Sequence, residues 1–309
     1  MQSTNVKSAA VERAATEPTK CQGGRSGGGE TNSRLAVLRK SLDDDADLRH
    51  YFPECGNDDP YVSYAPWPEL QGCLGILFTS RSGSTFLSRE LEKRYTFGLI
   101  RESFNFPVLR SRSRSSQLKT PAAAMRYSVK QLQEAGWFGF KAGTPGLIVA
   151  ERCGFIEYYL PLTRLILLIR QDLVAQAVSL AKAKASSIYH SGQRARKTEL
   201  PVEYSFEKIK RAIQVIGKGV KRIDDYAQRS GRPCMRAYYE DFAKGDFHTI
   251  DEICREFGVP KRMQPPKREV QKIEKIGDRI NDEWCARFRG EMDVETRRLV
   301  DEYRIFLQR

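Results

Sequence analysis

Along the chain, hydrophobic and polar positions follow two periods. Leu74–Thr79 and Leu165–Ile169 are short apolar runs of strand length, and Trp137–Lys141 reads as another short strand. Runs of this kind belong inside a parallel sheet covered on both faces. Cys234–Tyr239 reads as a fourth strand. Between them the period becomes helical. Thr85–Arg94 follows the first strand, and Leu173, Val174, Ala177, Val178 and Ala181 follow the third, with Asp172 placed as N-cap or first-turn acid. Phe206, Ile209, Ile213, Ile216, Val220 and Ile223 recur at spacings near three and four, which predicts a long amphipathic helix closed by Gly231. A helix around Ile250–Phe257 and a last helical stretch anchored by Trp284 and Phe288 complete the pattern. Strands alternating with helices predict an α/β fold, a central parallel sheet flanked by helices.

The remaining segments lack such a period. Residues 1–33 are rich in Ser, Thr, Gly and Ala and read as a disordered tail, leaving 34–309 as a single domain. Residues 34–70 carry a short helix pattern, the acidic run Asp43–Asp47 and an aromatic, Pro-rich arm with Tyr51, Tyr61 and Trp67. Those aromatics suit either stacking on sugar rings or anchoring the arm to the core. Phe106–Lys119 and Ser186–Thr198 are basic and serine-containing; both read as loops, the first mobile. Gly143, Pro145 and Gly146 read as a turn after the second strand.

Composition changes this picture in three ways. A net charge of +13 over 309 residues suits an anionic partner: a nucleic acid, a membrane surface, or a phosphorylated or sulfated small molecule. The seven cysteines are scattered without a CxxC pair or a Cys/His cluster, which argues against a disulfide framework or a zinc site and for a reducing compartment. The N-terminus has no apolar core of the signal-peptide kind, and no run approaches the roughly 20 apolar residues needed to span a membrane. A cytoplasmic location and the absence of a transmembrane segment are the expectation.

Chemistry concentrates where the first strand ends. Thr79-Ser-Arg-Ser-Gly-Ser-Thr85 passes from strand to helix through small hydroxylated residues, one arginine and one glycine. Such a turn aims backbone N–H groups and the positive end of a helix dipole at one spot, which suits an anion. Ser80, Ser82, Ser84 and Thr85 add hydroxyl donors, Arg81 a fixed charge, and Gly83 room for close approach. The segment departs from two common nucleotide loops. No lysine precedes Ser84-Thr85, as GxxxxGK[ST] requires, and GxGxxG is absent. Alone, it is equally readable as an ordinary helix start. A second element changes the balance: Arg170 closes the third strand and Ser179 follows nine residues later along a helix, so the pair can pinch one phosphate. Both elements would lie at the carboxyl edge of one sheet.

The loop Thr79–Leu87 resembles the 5′-phosphosulfate loop of sulfotransferases, and Arg170-Gln-Asp-Leu-Val-Ala-Gln-Ala-Val-Ser-Leu180 resembles their 3′-phosphate motif. The forms RSGST and AQAVSL are similar to those of the bacterial carbohydrate sulfotransferases typified by trehalose 2-sulfotransferase. The likeness continues through Gly98–Phe104, Phe138–Lys141, Tyr238–Phe242 and Asn281–Arg289, so it covers roughly residues 70–290 in matching order. Ser80 stands where the family commonly has proline, Gln171 where it often has arginine, Ser103 in place of an aromatic, and Tyr189-His190 in place of a tryptophan-containing segment.

The resemblance implies a P-loop-like sulfotransferase fold that binds 3′-phosphoadenosine 5′-phosphosulfate (PAPS), without a metal. It implies in-line transfer of a sulfuryl group to a carbohydrate, glycan or glycolipid hydroxyl. Arg81, Ser82, Gly83, Ser84 and Thr85 would hold the 5′-phosphosulfate, and Arg170 and Ser179 the 3′-phosphate. Glu102 is the expected general base, with His190 the rival and Lys141 placed to touch the sulfuryl group or the acceptor. A homodimer is compatible with the family. Two other readings stay open: a nucleotide-dependent kinase, against which the missing P-loop lysine speaks, and a nucleic-acid-binding protein using Arg110–Ser116, which lacks a recognition module. No nucleic-acid partner is expected.

Overall fold

The computed structural model describes residues 66–189, 202–264 and 279–308. Four strands form one parallel sheet: β1 (Gly72–Phe78), β2 (Trp137–Ala142), β3 (Thr163–Ile169) and β4 (Cys234–Tyr238), in the order β2-β1-β3-β4. β1 is buried along its whole length because helices cover both faces. Its alternate residues enter two separate cores: Leu74, Ile76 and Phe78 on one face, Cys73 and Leu77 on the other. This is why the run reads as continuously apolar.

The helices are α1 (Ser84–Arg94), α2 (Phe106–Ser116), α3 (Pro121–Leu132), α4 (Thr144–Arg152), α5 (Phe155–Tyr158), α6 (Leu173–Ser186), α7 (Phe206–Arg229), α8 (Tyr239–Ala243), α9 (His248–Glu256), α10 (Arg279–Glu291) and α11 (Val294–Leu307). Asp172 caps α6 as expected, its carboxylate accepting from the Ala175 N–H at 2.9 Å. α7 buries Ile209, Ile213, Ile216, Val220 and Ile223 along one stripe and packs on α6 and β3. Gly231, at φ 63°, follows its end. The larger core continues into an aromatic cluster in which Phe155 meets Phe104 at 4.6 Å and Phe140 at 5.5 Å between ring centroids. Trp67 joins this cluster beside Phe155, with the Arg126 guanidinium 4.1 Å above its ring, so it anchors the arm to the core.

Three expectations are corrected. Phe106–Ser116 is helix α2, not a loop. Pro107 presets its first turn, while Leu109 and Ser113, four residues apart, are buried and α2 packs on α3. The arginines between them occupy the other faces. Pro145 likewise begins a helix rather than closing a turn, since α4 starts at Thr144 directly after β2. The C-terminal stretch is two helices, separated where Asp293 caps α11 by accepting from the Thr296 N–H at 2.7 Å. The N-terminal tail, the arm as far as Ala65, most of the 186–198 loop and His190 lie outside the described residues.

The strand order has a functional consequence. From β1 the chain moves to β2 on one side, then returns across β1 to β3 on the other. A crevice opens at such a reversal, outside the carboxyl ends of the strands. The loop carrying Arg81 and the loop carrying Arg170 flank it.

Candidate active site

A cleft of about 1280 Å³ lies at this edge and is lined from the β1, β2, β3 and β4 ends and from α7 and α10. Its floor is the loop between β1 and α1. Gly83 sits at φ 92°, and a Cβ there would stand 2.3 Å from the Tyr239 ring, so glycine meets both a backbone and a packing requirement. No side chain caps α1, which leaves the N–H groups of its first turn directed to the cleft end of the helix. Arg81, at φ 68°, sends its Nε to the Ser179 hydroxyl at 3.0 Å and a terminal nitrogen to the Tyr189 carbonyl. Burial and the nearby Arg170 cation both lower the Arg81 pKa, burial more strongly.

The second side of the cleft is built from β3 and α6. Arg170 lies with its guanidinium 4.8 Å from the centre of the Tyr239 ring and within 3.5 Å of the Arg81 carbonyl. The 170–172 turn is held from several sides. Glu240 accepts from the N–H groups of Gln171 and Asp172 at 3.0 and 3.2 Å, and the Tyr303 hydroxyl donates to the Arg170 carbonyl at 2.9 Å. Arg289 donates to both Asp172 oxygens at 2.9 and 2.8 Å. Gln176, fully buried one turn before Ser179, donates to the Thr79 hydroxyl and the Ser80 carbonyl, tying α6 to the first loop.

On the β2 side, Lys141 is 5% exposed and donates to the Thr85 hydroxyl at 3.0 Å. Its ammonium is 3.7 Å from a Glu102 oxygen, and Asn105 donates to the other Glu102 oxygen at 3.2 Å. Burial lowers the Lys141 pKa, and the charge of Glu102 partly offsets it. Arg101 does not pair with Glu102; it turns to the buried Glu92 instead.

The structure therefore brings together Arg81, Gly83, Ser84, Thr85, Glu102, Lys141, Arg170 and Ser179. Ser82 is different: it is fully buried beneath the loop, away from the cleft lining, and its hydroxyl has no partner. The Arg170 Nε is a second buried polar atom without a partner. An uncommitted guanidinium N–H and an uncapped helix start in one cationic cleft fit a multiply charged anion. Among the described residues, no group of three or more His, Cys, Asp or Glu is placed to hold a metal ion, and no helix is long and apolar enough to cross a membrane.

Several residues that shape the site carry little signal in the sequence. Gln176 is recoverable as a polar residue inside an apolar helix, on the same face as Ser179. Glu240, Tyr303 and Arg289 act from distant segments; Glu240 and Arg289 fall within stretches that carry the family likeness, but nothing in the sequence marks them as braces of the 170–172 turn.

Residues 145–291 match the family model for Stf0 sulphotransferase. The match takes in Arg170 and Ser179 and begins just after β2, so the Arg81 loop, Glu102 and Lys141 precede it. No curated protein is a match for the chain. Among solved structures, a similar one is the sulfotransferase domain from the Synechococcus PCC 7002 olefin synthase, at 16% identity and a TM-score of 0.39, covering 77% of this chain and 98% of that one. Over residues 145–291, a little under half of its length, the chain is similar to the Stf0 sulphotransferases.

Proposed function

We propose that the protein transfers a sulfuryl group from PAPS to a hydroxyl of a carbohydrate, in a free glycan or a glycolipid. The observation that carries this reading is the Thr85–Lys141–Glu102 chain of contacts, which lies in the same cleft as the Arg81–Ser179 pair. One end of the cleft thus offers cations and hydroxyls to a nucleotide phosphate, and the other a carboxylate beside a buried ammonium.

The donor supplies the sulfuryl group and a leaving 3′,5′-bisphosphate. Arg170 and Ser179 hold the 3′-phosphate, and the Tyr239 ring, beneath the Arg170 guanidinium, braces that end. Arg81, the first turn of α1 and Thr85 hold the 5′-phosphate and oppose the charge that develops on it. Glu102 accepts the proton of the attacking hydroxyl, and Lys141 steadies both Glu102 and the peripheral oxygens. The acceptor oxygen forms its bond to sulfur as the bond from sulfur to the 5′-phosphate oxygen breaks. Carbohydrate is preferred as acceptor because the RSGST and AQAVSL motifs resemble carbohydrate sulfotransferases.

The test is transfer of labelled sulfate from PAPS to glycans and lipids extracted from the source organism, with identification of the labelled product. A labelled saccharide or glycolipid supports the proposal. Label recovered only as free sulfate, with no shift in melting temperature on adding 3′-phosphoadenosine 5′-phosphate, overturns it.

A further inference from the structure

Glu92 is a buried acid that the chemistry above does not use. It lies in α1 with a 2% exposed side chain and is met from three sides. The Ile100 N–H donates to Oε1 at 2.8 Å, the Arg101 guanidinium donates to the same oxygen, and Arg89 reaches Oε2 at 2.9 Å. A carboxylate so enclosed is tolerated only because charge and hydrogen bonds compensate it, and losing one partner of such a set is costly.

The residues that Glu92 grips lead directly into Glu102. Arg101 forms a parallel bridge with Phe140, and the Lys141 N–H donates to the Arg101 carbonyl at 2.8 Å, so this segment lies along the outer edge of β2. The fit is close: a Cβ on Gly139 would stand 2.5 Å from Ile100 Cγ1. Successive side chains of an extended segment point to opposite sides. With Arg101 turned to Glu92, Glu102 is left facing Lys141 in the cleft. A slip of one residue would reverse the two.

We propose that Glu92 is a positioning residue for catalysis: through Ile100 and Arg101 it fixes the register of this edge segment and so sets Glu102 opposite Lys141. The proposal rests on Glu102 acting as the base. Glu92→Gln keeps an acceptor for the Ile100 N–H but removes the charge that holds Arg101. The measurement is turnover of labelled PAPS with the glycan fraction that accepts sulfate from the wild-type protein. The expected result is a kcat at least tenfold lower, with acceptor KM and affinity for 3′-phosphoadenosine 5′-phosphate within twofold of wild type. In a Glu102→Gln background, followed by single-turnover transfer, Glu92→Gln should add no further loss, since the two act as one unit.

An unchanged kcat overturns the proposal, and so does an equal added loss in both backgrounds. If Glu92→Gln does not fold, Arg101→Lys, at a partly exposed position, replaces it: the same kcat loss supports the proposal, and the same two outcomes overturn it. Full turnover by Glu102→Gln would instead remove the role of Glu102 itself, and this inference with it.

Discussion

Arg81 and Ser179, ninety-eight residues apart, share a hydrogen bond of 3.0 Å from the guanidinium Nε to the hydroxyl. The resemblance to known motifs assigns them to opposite ends of the donor, yet the cleft joins them. If the two residues grip phosphates as proposed, this bond should couple them. Ser179→Ala should weaken binding of 3′-phosphoadenosine 5′-phosphate by about 10- to 100-fold, as expected for one hydrogen bond to a charged group. The loss should be much smaller for the analogue lacking the 3′-phosphate. Adding Arg81→Lys should give less than the sum of the two single losses, and calorimetric titration of the four proteins measures the coupling.

Glu102 is close to half exposed and within 3.7 Å of Lys141, open to an acceptor yet held. Glu102→Gln should lower kcat by about 10²- to 10⁴-fold, the usual worth of a positioned base. The melting shift produced by 3′-phosphoadenosine 5′-phosphate should be unchanged.

Lys141 gives a pH prediction whose sign follows from its burial. Its folded-state pKa is below that of a free lysine. The ammonium is present at low pH and is lost as pH rises through that lowered value, so activity should fall on the alkaline side earlier than an ordinary lysine would allow. Lys141→Arg, which cannot be deprotonated in this range, should move the alkaline limb of the kcat profile upward, whatever its effect on the maximum. For stability the sign is opposite. Between the folded and unfolded pKa values the unfolded chain binds more protons, so Lys141 makes folding more favourable as pH rises through that window.

Phe155 has no exposed surface and touches Phe104, Phe138 and Phe140. Phe155→Ala should cost about 3–5 kcal/mol. Chemical denaturation would show this as a lower midpoint. Since Phe104 follows Glu102 by two residues, activity should also fall before the protein melts.

Much of the sheet was legible because β1, β2 and β3 are buried on both faces. Cys73 to Phe78 cannot be mistaken for a surface element when every position is apolar or glycine. The same holds for α7, whose isoleucines mark one stripe. The Arg/Ser segment around Leu109 was harder. Arginine and serine suggest solvent and turns, but two buried positions one helical turn apart suffice once α3 supplies a surface to pack on. At the site, Arg81, Arg170 and Ser179 stand at strand ends or on a helix face where spacing is informative. Glu240, Arg289 and Tyr303 act across long sequence separations, and only the folded sheet brings their carboxylate, guanidinium and hydroxyl to the loop they hold. Ser82 shows the converse: a hydroxyl inside a motif can be turned inward by a one-residue change in backbone direction.

The left-handed backbone at Arg81 sets this position apart in one further respect. A residue with a Cβ pays about 1–2 kcal/mol to sit there, and glycine does not. The chain accepts that strain to present a guanidinium at the cleft floor. Truncation should therefore reverse the usual ranking of small residues. Arg81→Ala keeps the strained geometry without the charge, whereas Arg81→Gly releases it. The glycine variant should melt above the alanine variant although neither grips the donor, and thermal denaturation of the pair would reveal how much conformational energy the loop stores for its function.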